Sequence, residues 1–172
     1  VRVPKSNLVY ELNKGWTVGK RLLQHERSMI GGIGGGQKTT SLEEYAHQYV
    51  GADESGKIAD ASLRGKILSH RMNDRAFGLT TRRSVEESAT GNAPGATSSM
   101  FKYYGTEQNI GKYDLMLSIM GTQSVGWTGD GFDEEELNTT RAWLRSKANS
   151  IEGGTSEVQL NIIAKRVLGL PE

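Results

Sequence analysis

Residues 149–172 read NSIEGGTSEVQLNIIAKRVLGLPE, and this C-terminal segment is more informative than the rest of the chain. Gly153 and Gly154 provide two adjacent positions where the backbone can take a positive φ angle and pass close to a flat ligand or another chain. Thr155 is suited to cap a helix, and Glu157 falls in the first turn, where the helix dipole favours an acidic side chain. The stretch therefore predicts a glycine turn that leads into a short terminal helix.

Apolar residues follow this turn at the spacing of a helix, and Gly169 and Pro171 end the pattern. The chain upstream of the turn shows the same periodicity in several segments, two of them long, which glycine-rich loops join. We predict an all-α fold, an antiparallel up-and-down helical bundle of five to six helices with a short extended N-terminal arm. The terminal stripe consists of Val158, Ile162, Ile163 and Val167. The upstream helical segments are 15–30, 42–50, 58–89, 97–121 and 137–148.

The first residues of the chain do not follow a helical pattern. Residues 2–10 alternate weakly between apolar and polar side chains and include Pro4, a combination that predicts an edge strand or an extended arm. A turn at residues 13–15 then separates this arm from the first helix.

Composition excludes several classes of function. The 172 residues carry 21 basic and 20 acidic side chains, and a net charge of +1 gives no electrostatic reason to expect nucleic acid or a membrane surface as a partner. There is no cysteine, which excludes disulfides and thiolate chemistry. No apolar run approaches the roughly 18 residues of a membrane span. With no secretory signal visible, we expect a cytoplasmic protein.

A metal site is not expected either. The three histidines, His25, His47 and His70, lack the i, i+4 spacing with a carboxylate partner that zinc sites use. The acidic run 133–136 has no histidine nearby, and it fits the solvated start of a helix.

Two parts of the chain resemble the acyl-CoA dehydrogenases, flavoenzymes that desaturate acyl-CoA thioesters. The turn and helix from Gly153 resemble the family's C-terminal "GGT-x-E" turn. Residues 3–8, 13–16 and 22–28 resemble its passage from the central β-domain into the C-terminal helical domain. The resemblance implies that residues 1–14 are the exit of the β-domain and residues 15–172 the helical bundle domain. It also implies that this piece of the enzyme is inactive by itself.

The resemblance also implies a catalytic base, because the family needs a carboxylate to remove the α-proton of the thioester. In many members the carboxylate directly precedes the "GT" of the turn, and here Gly153 occupies that position. In other members it lies on the first helix of the domain, just before an arginine, where this chain has Glu26 followed by Arg27. We therefore predict that Glu26 is the base and Glu152 the fallback, since a register shift of one residue would bring Glu152 into place. Arg27 would contact the acyl-CoA substrate.

The cofactor implied is FAD. By the resemblance, the backbone of Gly153, Gly154 and Thr155, together with Glu157, would line the flavin. The family's "R-x-x-F-G" arginine, which reaches a neighbouring subunit's flavin diphosphate, has no clean equivalent, and Arg64 is the nearest candidate. The parent enzyme would belong to fatty acid metabolism, pass its electrons to electron-transferring flavoprotein and form a homo-oligomer, a dimer or tetramer.

Two alternatives stay open. Some relatives assemble from unequal subunits, so this chain could be a non-catalytic assembly subunit or domain of a heteromeric acyl-CoA dehydrogenase. Other enzymes on the same fold, the acyl-CoA oxidases and nitroalkane oxidases, keep the flavin but change the chemistry. The chain length, branching or steroid nature of the acyl group is not readable from these residues.

Overall fold

The computed structural model describes residues 1–30, 40–90 and 97–171, with the side chains of residues 24–30 excepted. Six α-helices and no β-strand are found in these ranges, which confirms the all-α prediction. The helices are α1 (Gly15–Ile30), α2 (Leu42–Tyr49), α3 (Ala61–Ala89), α4 (Thr97–Met120), α5 (Glu134–Ser146) and α6 (Ser156–Ile162).

Polar caps fix where the helices begin. The Ser41 hydroxyl accepts a hydrogen bond from the Glu44 N–H at 3.2 Å, and the Glu44 carboxylate accepts one from the Ser41 N–H at 2.7 Å, so α2 starts with a complete capping box. The Asp60 carboxylate caps α3 by accepting from the Leu63 N–H at 3.0 Å. For this reason α3 begins after Asp60 and not at residue 58, as the periodicity alone predicted.

The acidic run 133–136 begins α5. Asp133 is the N-cap: its carboxylate accepts a hydrogen bond from the Glu136 N–H, and its own backbone N–H donates to the Glu136 carboxylate. The other acids occupy the first turn of the helix, close to the positive end of its dipole. The interpretation of this run as a helix start is confirmed, and the helix begins three residues earlier than the periodicity predicted.

The N-terminal arm is exposed throughout and contains one 3₁₀ turn at Lys5–Asn7. It forms no strand, so the edge-strand alternative is wrong and the extended-arm alternative describes the segment. Leu8, Val9 and Leu12 present apolar side chains to solvent along this arm.

Helix α4 is the centre of the bundle, because α1, α2, α3, α5 and α6 all pack against it. The apolar core lies where the C-terminal half of α4 meets α2 and the start of α3. Its buried members are Leu42, Tyr45, Ala46, Ile58, Leu63, Ile67, Met116, Ile119 and Met120.

Helices α2 and α5 are joined by tyrosine hydroxyls. The Tyr45 hydroxyl donates to Glu135 at 3.0 Å and shares a hydrogen bond of 2.9 Å with the Thr139 hydroxyl. The Tyr49 hydroxyl donates to Glu136 at 2.8 Å. Within the described ranges, no helix is both long and apolar enough to span a membrane.

Candidate functional site

The glycine turn lies between a short 3₁₀ turn at Lys147–Ser150 and helix α6. Gly153 and Gly154 have φ angles of +67° and +97°, which L-amino acids with a side chain rarely adopt. The Thr155 hydroxyl accepts a hydrogen bond from the Val158 N–H at 3.3 Å and caps α6. The turn, the cap and the helix predicted from the sequence are therefore confirmed as local structure.

A buried glutamine is hydrogen-bonded to the backbone of the turn. The Nε2 atom of Gln159 donates to the carbonyl oxygens of Gly153 at 3.0 Å and of Gly154 at 3.3 Å. Gln159 is fully buried, and a Cβ atom on Gly154 would come within 2.6 Å of its Nε2. The residue at position 154 must therefore be glycine for two reasons, the positive φ angle and the proximity of this amide.

Two sets of hydrogen bonds attach the turn to α4. The Ser156 hydroxyl at the start of α6 donates to Glu107 at 2.9 Å. On the other side of the turn, the Asn109 amide donates to the Asn149 side-chain oxygen at 3.3 Å, and the Asn149 amide donates to Glu152 at 2.6 Å. The turn is thus held on both sides by the middle of α4.

Lys102 of α4 is fully buried in this part of the molecule. Its Nζ atom has no hydrogen-bond partner among the described residues. Burial lowers the pKa of the Lys102 ammonium, and the nearby carboxylates of Glu107, Glu152 and Glu157 act in the opposite direction. The amine of Lys102 therefore lies in the interior near the glycine turn, and the carboxylates of Glu107, Glu152 and Glu157 are close enough to favour its charged form.

The two acids that flank the turn already have partners. Glu152 forms an ion pair of 3.0 Å with Arg145 and also accepts from Asn149. Glu157 is exposed, and hydrogen bonds from its own backbone N–H and from the Thr155 hydroxyl lower the pKa of its carboxyl group. Both side chains are therefore oriented by contacts within the turn region.

Glu26 and Arg27 lie in the last third of α1, but their side chains fall outside the described part of the structure. The backbone of position 26 follows one helical turn after Leu22 and two turns after Val18. Val18 and Leu22 line a hollow of about 370 Å³ between α1 and the N-terminal arm, together with Tyr10, Thr17 and Arg21.

The described contacts of Arg64 are with the loop before α3. Its guanidinium donates to the carbonyl oxygen of Ile58 and lies 3.7 Å from the carboxylate of Asp53. It also lines an open groove of about 820 Å³ along α3, beside the exposed side chains of Leu68 and Met72. None of these contacts involves the glycine turn.

Sequence reasoning missed the residues that hold the turn, Gln159, Asn149 and Arg145. Helix α6 buries Gln159, whereas Val158 of the predicted apolar stripe is half exposed. The spacing of Gln159 with Ile162 and Ile163 is also helical, and this polar member of an otherwise apolar face was the available signal. Asn149 and Arg145 carried no comparable signal.

The molecule is a helical domain whose central helix supports a glycine turn before a short terminal helix. Residues 13–168 match the family model described as "Acyl-CoA dehydrogenase, C-terminal domain". Because the match covers most of the chain, the chain belongs to this family, and the resemblance found in the sequence is confirmed.

Named relatives agree with this assignment. The chain is 27% identical over 172 residues to the acyl-CoA dehydrogenase FadE34 of Mycobacterium tuberculosis, covering 99% of this chain and 22% of FadE34. In fold it resembles a chain of the ChsE4–ChsE5 complex from Mycobacterium tuberculosis, with a TM-score of 0.71 and 24% identity. The match covers 99% of this chain and 44% of the chain in the complex. It also resembles the Tcur3481–Tcur3483 steroid ACAD, with a TM-score of 0.76, 24% identity and coverage of 100% and 44%. The chain thus spans less than half the length of each.

Proposed function

We propose that this chain is the C-terminal domain of an FAD-dependent acyl-CoA dehydrogenase, which forms a double bond between the α and β carbons of an acyl-CoA thioester. The observation that carries the proposal is the glycine turn at Gly153 and Gly154, which is clamped by Gln159 and attached to α4 on both sides. A turn without side chains that is supported this thoroughly is suited to hold a flat ligand against its backbone.

The residues around the turn fit an FAD. Gly153 and Gly154 leave a partly exposed backbone surface without side chains, and the exposed apolar side chains of Ile151 and Val158 flank it. Such a surface suits a flat, largely apolar ring system. In this proposal the backbone of Gly153, Gly154 and Thr155 lines the ring, and Glu157 lies at its edge. Arg64 stays a weaker candidate for contact with the cofactor, since its contacts are local.

Glu26 is the proposed base. The position that precedes Gly154 and Thr155 is a glycine, so the turn itself supplies no carboxylate there. The fallback Glu152 is ion-paired with Arg145 and hydrogen-bonded by Asn149, and this supports Glu26 over Glu152. Position 26 lies on the same helix as Val18 and Leu22, two helical turns and one helical turn further along, and a carboxylate that takes a proton from a weakly acidic C–H bond would need bound substrate and cofactor to exclude water from it.

The proposed reaction assigns one task to each residue. The Glu26 carboxylate takes the α-proton of the thioester, and the electron pair of that C–H bond forms the new double bond. An FAD held by the backbone of Gly153, Gly154 and Thr155 would supply the acceptor for the hydride that leaves the β carbon. Arg27 contacts the acyl-CoA and orients it toward Glu26. The reduced enzyme would then pass its electrons to electron-transferring flavoprotein. In this proposal the enzyme is a cytoplasmic homo-oligomer.

The experiment uses the full-length protein that contains this domain. Mixed without oxygen with straight-chain, branched and steroid acyl-CoA thioesters, it should lose its flavin absorbance with at least one of them and form the enoyl-CoA, detected by mass spectrometry. The 172-residue chain alone should show no turnover. A full-length protein that binds no FAD, or that reacts with none of the thioesters, contradicts the proposal. Oxygen consumption without an added acceptor would instead identify an oxidase.

A second candidate is that this chain belongs to a non-catalytic assembly subunit. The two similar structures each contain two differently named proteins, and this observation supports a hetero-oligomer. An assembly subunit predicts that the full-length protein purified alone binds little FAD and gains activity only with a second, related chain. Native mass spectrometry of the protein with and without such a chain separates the two candidates.

A further inference from the structure

Gln159 is buried, and its two polar side-chain atoms differ in how they are hydrogen-bonded. Its Nε2 makes both hydrogen bonds to the turn, whereas its Oε1 is buried without a partner among the described residues. An unsatisfied buried acceptor destabilises the fold. An apolar side chain of similar size would remove this acceptor, but it would also leave the two carbonyl oxygens of the turn without their donors. The contribution of Gln159 to the turn therefore lies in its two N–H donors.

The turn needs these donors because of its composition. Two consecutive glycines lose more conformational freedom on ordering than any other pair of residues. Since a peptide group is planar, fixing the carbonyl oxygens of Gly153 and Gly154 fixes the peptide planes on both sides of Gly154. One carboxamide thereby determines the orientation of the whole backbone surface that faces the ligand.

We propose that Gln159 is a positioning residue for the cofactor: its carboxamide orders the Gly153–Gly154 turn, and this order is required for FAD to bind tightly. The inference rests on the proposed function for the identity of the ligand. The ordering of the turn itself depends only on contacts within this chain.

The first test uses the 172-residue chain and ¹⁵N relaxation of the Gly153 and Gly154 amides. Gln159→Leu keeps the size of the side chain but removes both donors, so the order parameters should fall from about 0.85 toward 0.6 or below. The free energy of unfolding should change little, because removal of the unpaired Oε1 offsets part of the loss of the two hydrogen bonds. Unchanged order parameters, or a large loss of stability without a change in the turn, would overturn the proposal.

Gln159→Glu provides a second variant of nearly the same shape. At neutral pH its carboxylate faces two carbonyl oxygens and cannot donate, so the turn should lose order. As the pH falls and the carboxyl group gains a proton, part of the order should return. The matched control is Gln48→Glu on the exposed surface of α2, which should leave the turn unchanged at every pH. If the order of the turn depends on pH in the same way in both variants, Gln159 does not order the turn.

The second test measures FAD affinity in the full-length enzyme. Gln159→Leu should weaken binding about tenfold or more, the effect of losing roughly 1.4 kcal/mol of positioning. If the turn loses order but FAD affinity is unchanged, the positioning role fails while the enzyme assignment stands. If the unmodified enzyme binds no FAD, the proposed function fails and the positioning role fails with it. The order parameters of Gly153 and Gly154 would still show whether Gln159 orders the turn.

Discussion

The two halves of helix α4 bury opposite kinds of side chain. Toward its C-terminus, Met116, Ile119 and Met120 join the apolar core beneath α2 and α3. Toward its N-terminus, the buried residues are polar: Ser99, Lys102 and Thr106. The same helix thus supports a core at one end and the neighbourhood of the glycine turn at the other.

Within α4, one half therefore serves mainly the stability of the fold, and the other half supports the candidate functional site. Apolar burial is the dominant favourable contribution to folding, so the C-terminal half of α4 should carry most of the stability. In the N-terminal half, the Ser99 hydroxyl and the Lys102 amine are buried without a hydrogen-bond partner among the described residues, which opposes stability. Such costs are tolerated where a site requires them.

The largest effect on stability should come from the apolar half. Ile119→Ala removes a buried side chain and should lower the free energy of unfolding by about 2–4 kcal/mol, measured by urea denaturation. The matched control is Leu68→Ala on α3, where the side chain is 61% exposed and the change should stay within about 0.5 kcal/mol. Equal losses at the two positions would show that the assigned core does not stabilise the fold.

A smaller effect should appear in alkaline solution, where α2 joins α5. Burial, with a contribution from Glu135, raises the pKa of Tyr45 from 10.0 to about 12, and burial also raises the pKa of Tyr49. Because the pKa of Tyr45 is higher in the folded state than in the unfolded chain, the neutral hydroxyl stabilises the fold fully below pH 10. This contribution to the free energy of unfolding is lost as the pH rises from 10 to about 12. For Tyr45, a shift of two pKa units corresponds to at most about 3 kcal/mol.

Comparison with Tyr45→Phe isolates this contribution from that of other groups. The variant lacks the titrating hydroxyl, so its free energy of unfolding should fall less steeply above pH 10 than that of the wild type. Parallel curves for the two proteins over this range would mean that Tyr45 titrates in the folded state as it does in the unfolded chain.

The smallest effect on stability should come from the polar half. Lys102→Met replaces a buried amine that has no hydrogen-bond partner in the described part of the chain with an apolar side chain of similar length, and we expect the free energy of unfolding at neutral pH to rise, or to fall by no more than about 1 kcal/mol. A loss of 3 kcal/mol or more would show that Lys102 is a paired structural charge, and the contrast between the two halves would fail.

The pH dependence of Lys102 has the opposite sign to that of Tyr45. Its pKa in the folded state is lowered, so the unfolded chain binds more protons in the interval below the usual value of 10.5. Wild-type stability relative to Lys102→Met should therefore rise with pH through that interval. A difference that does not change with pH would contradict the lowered pKa.

The sequence was sufficient to predict the helices, because periodicity and caps are local properties. Ser41 and Thr155 cap the helices that the pattern predicted, and the glycine turn has the predicted positive φ angles. Asp60 shows the limit of periodicity. Apolar residues before a cap can belong to the core, as Ile58 does, without belonging to the helix.

The supports of the turn could not be predicted, because they depend on which residues of α4 meet α6. The Ser156–Glu107 and Asn109–Asn149 hydrogen bonds join positions 40 to 49 residues apart. No local pattern encodes such pairs. The role of Arg145 in binding Glu152 likewise depends on the path of the chain between α5 and the turn.

In the proposed mechanism, α1 supplies the catalytic carboxylate and the glycine turn supplies none. The direct measurement is turnover and FAD content of Glu26→Gln in the full-length enzyme, with Glu152→Gln as the matched control. We predict that Glu26→Gln retains FAD and loses about 10²-fold or more of its turnover, the contribution of a general base, while Glu152→Gln keeps most of its activity. Full activity in Glu26→Gln, or the larger loss in Glu152→Gln, would contradict the claim.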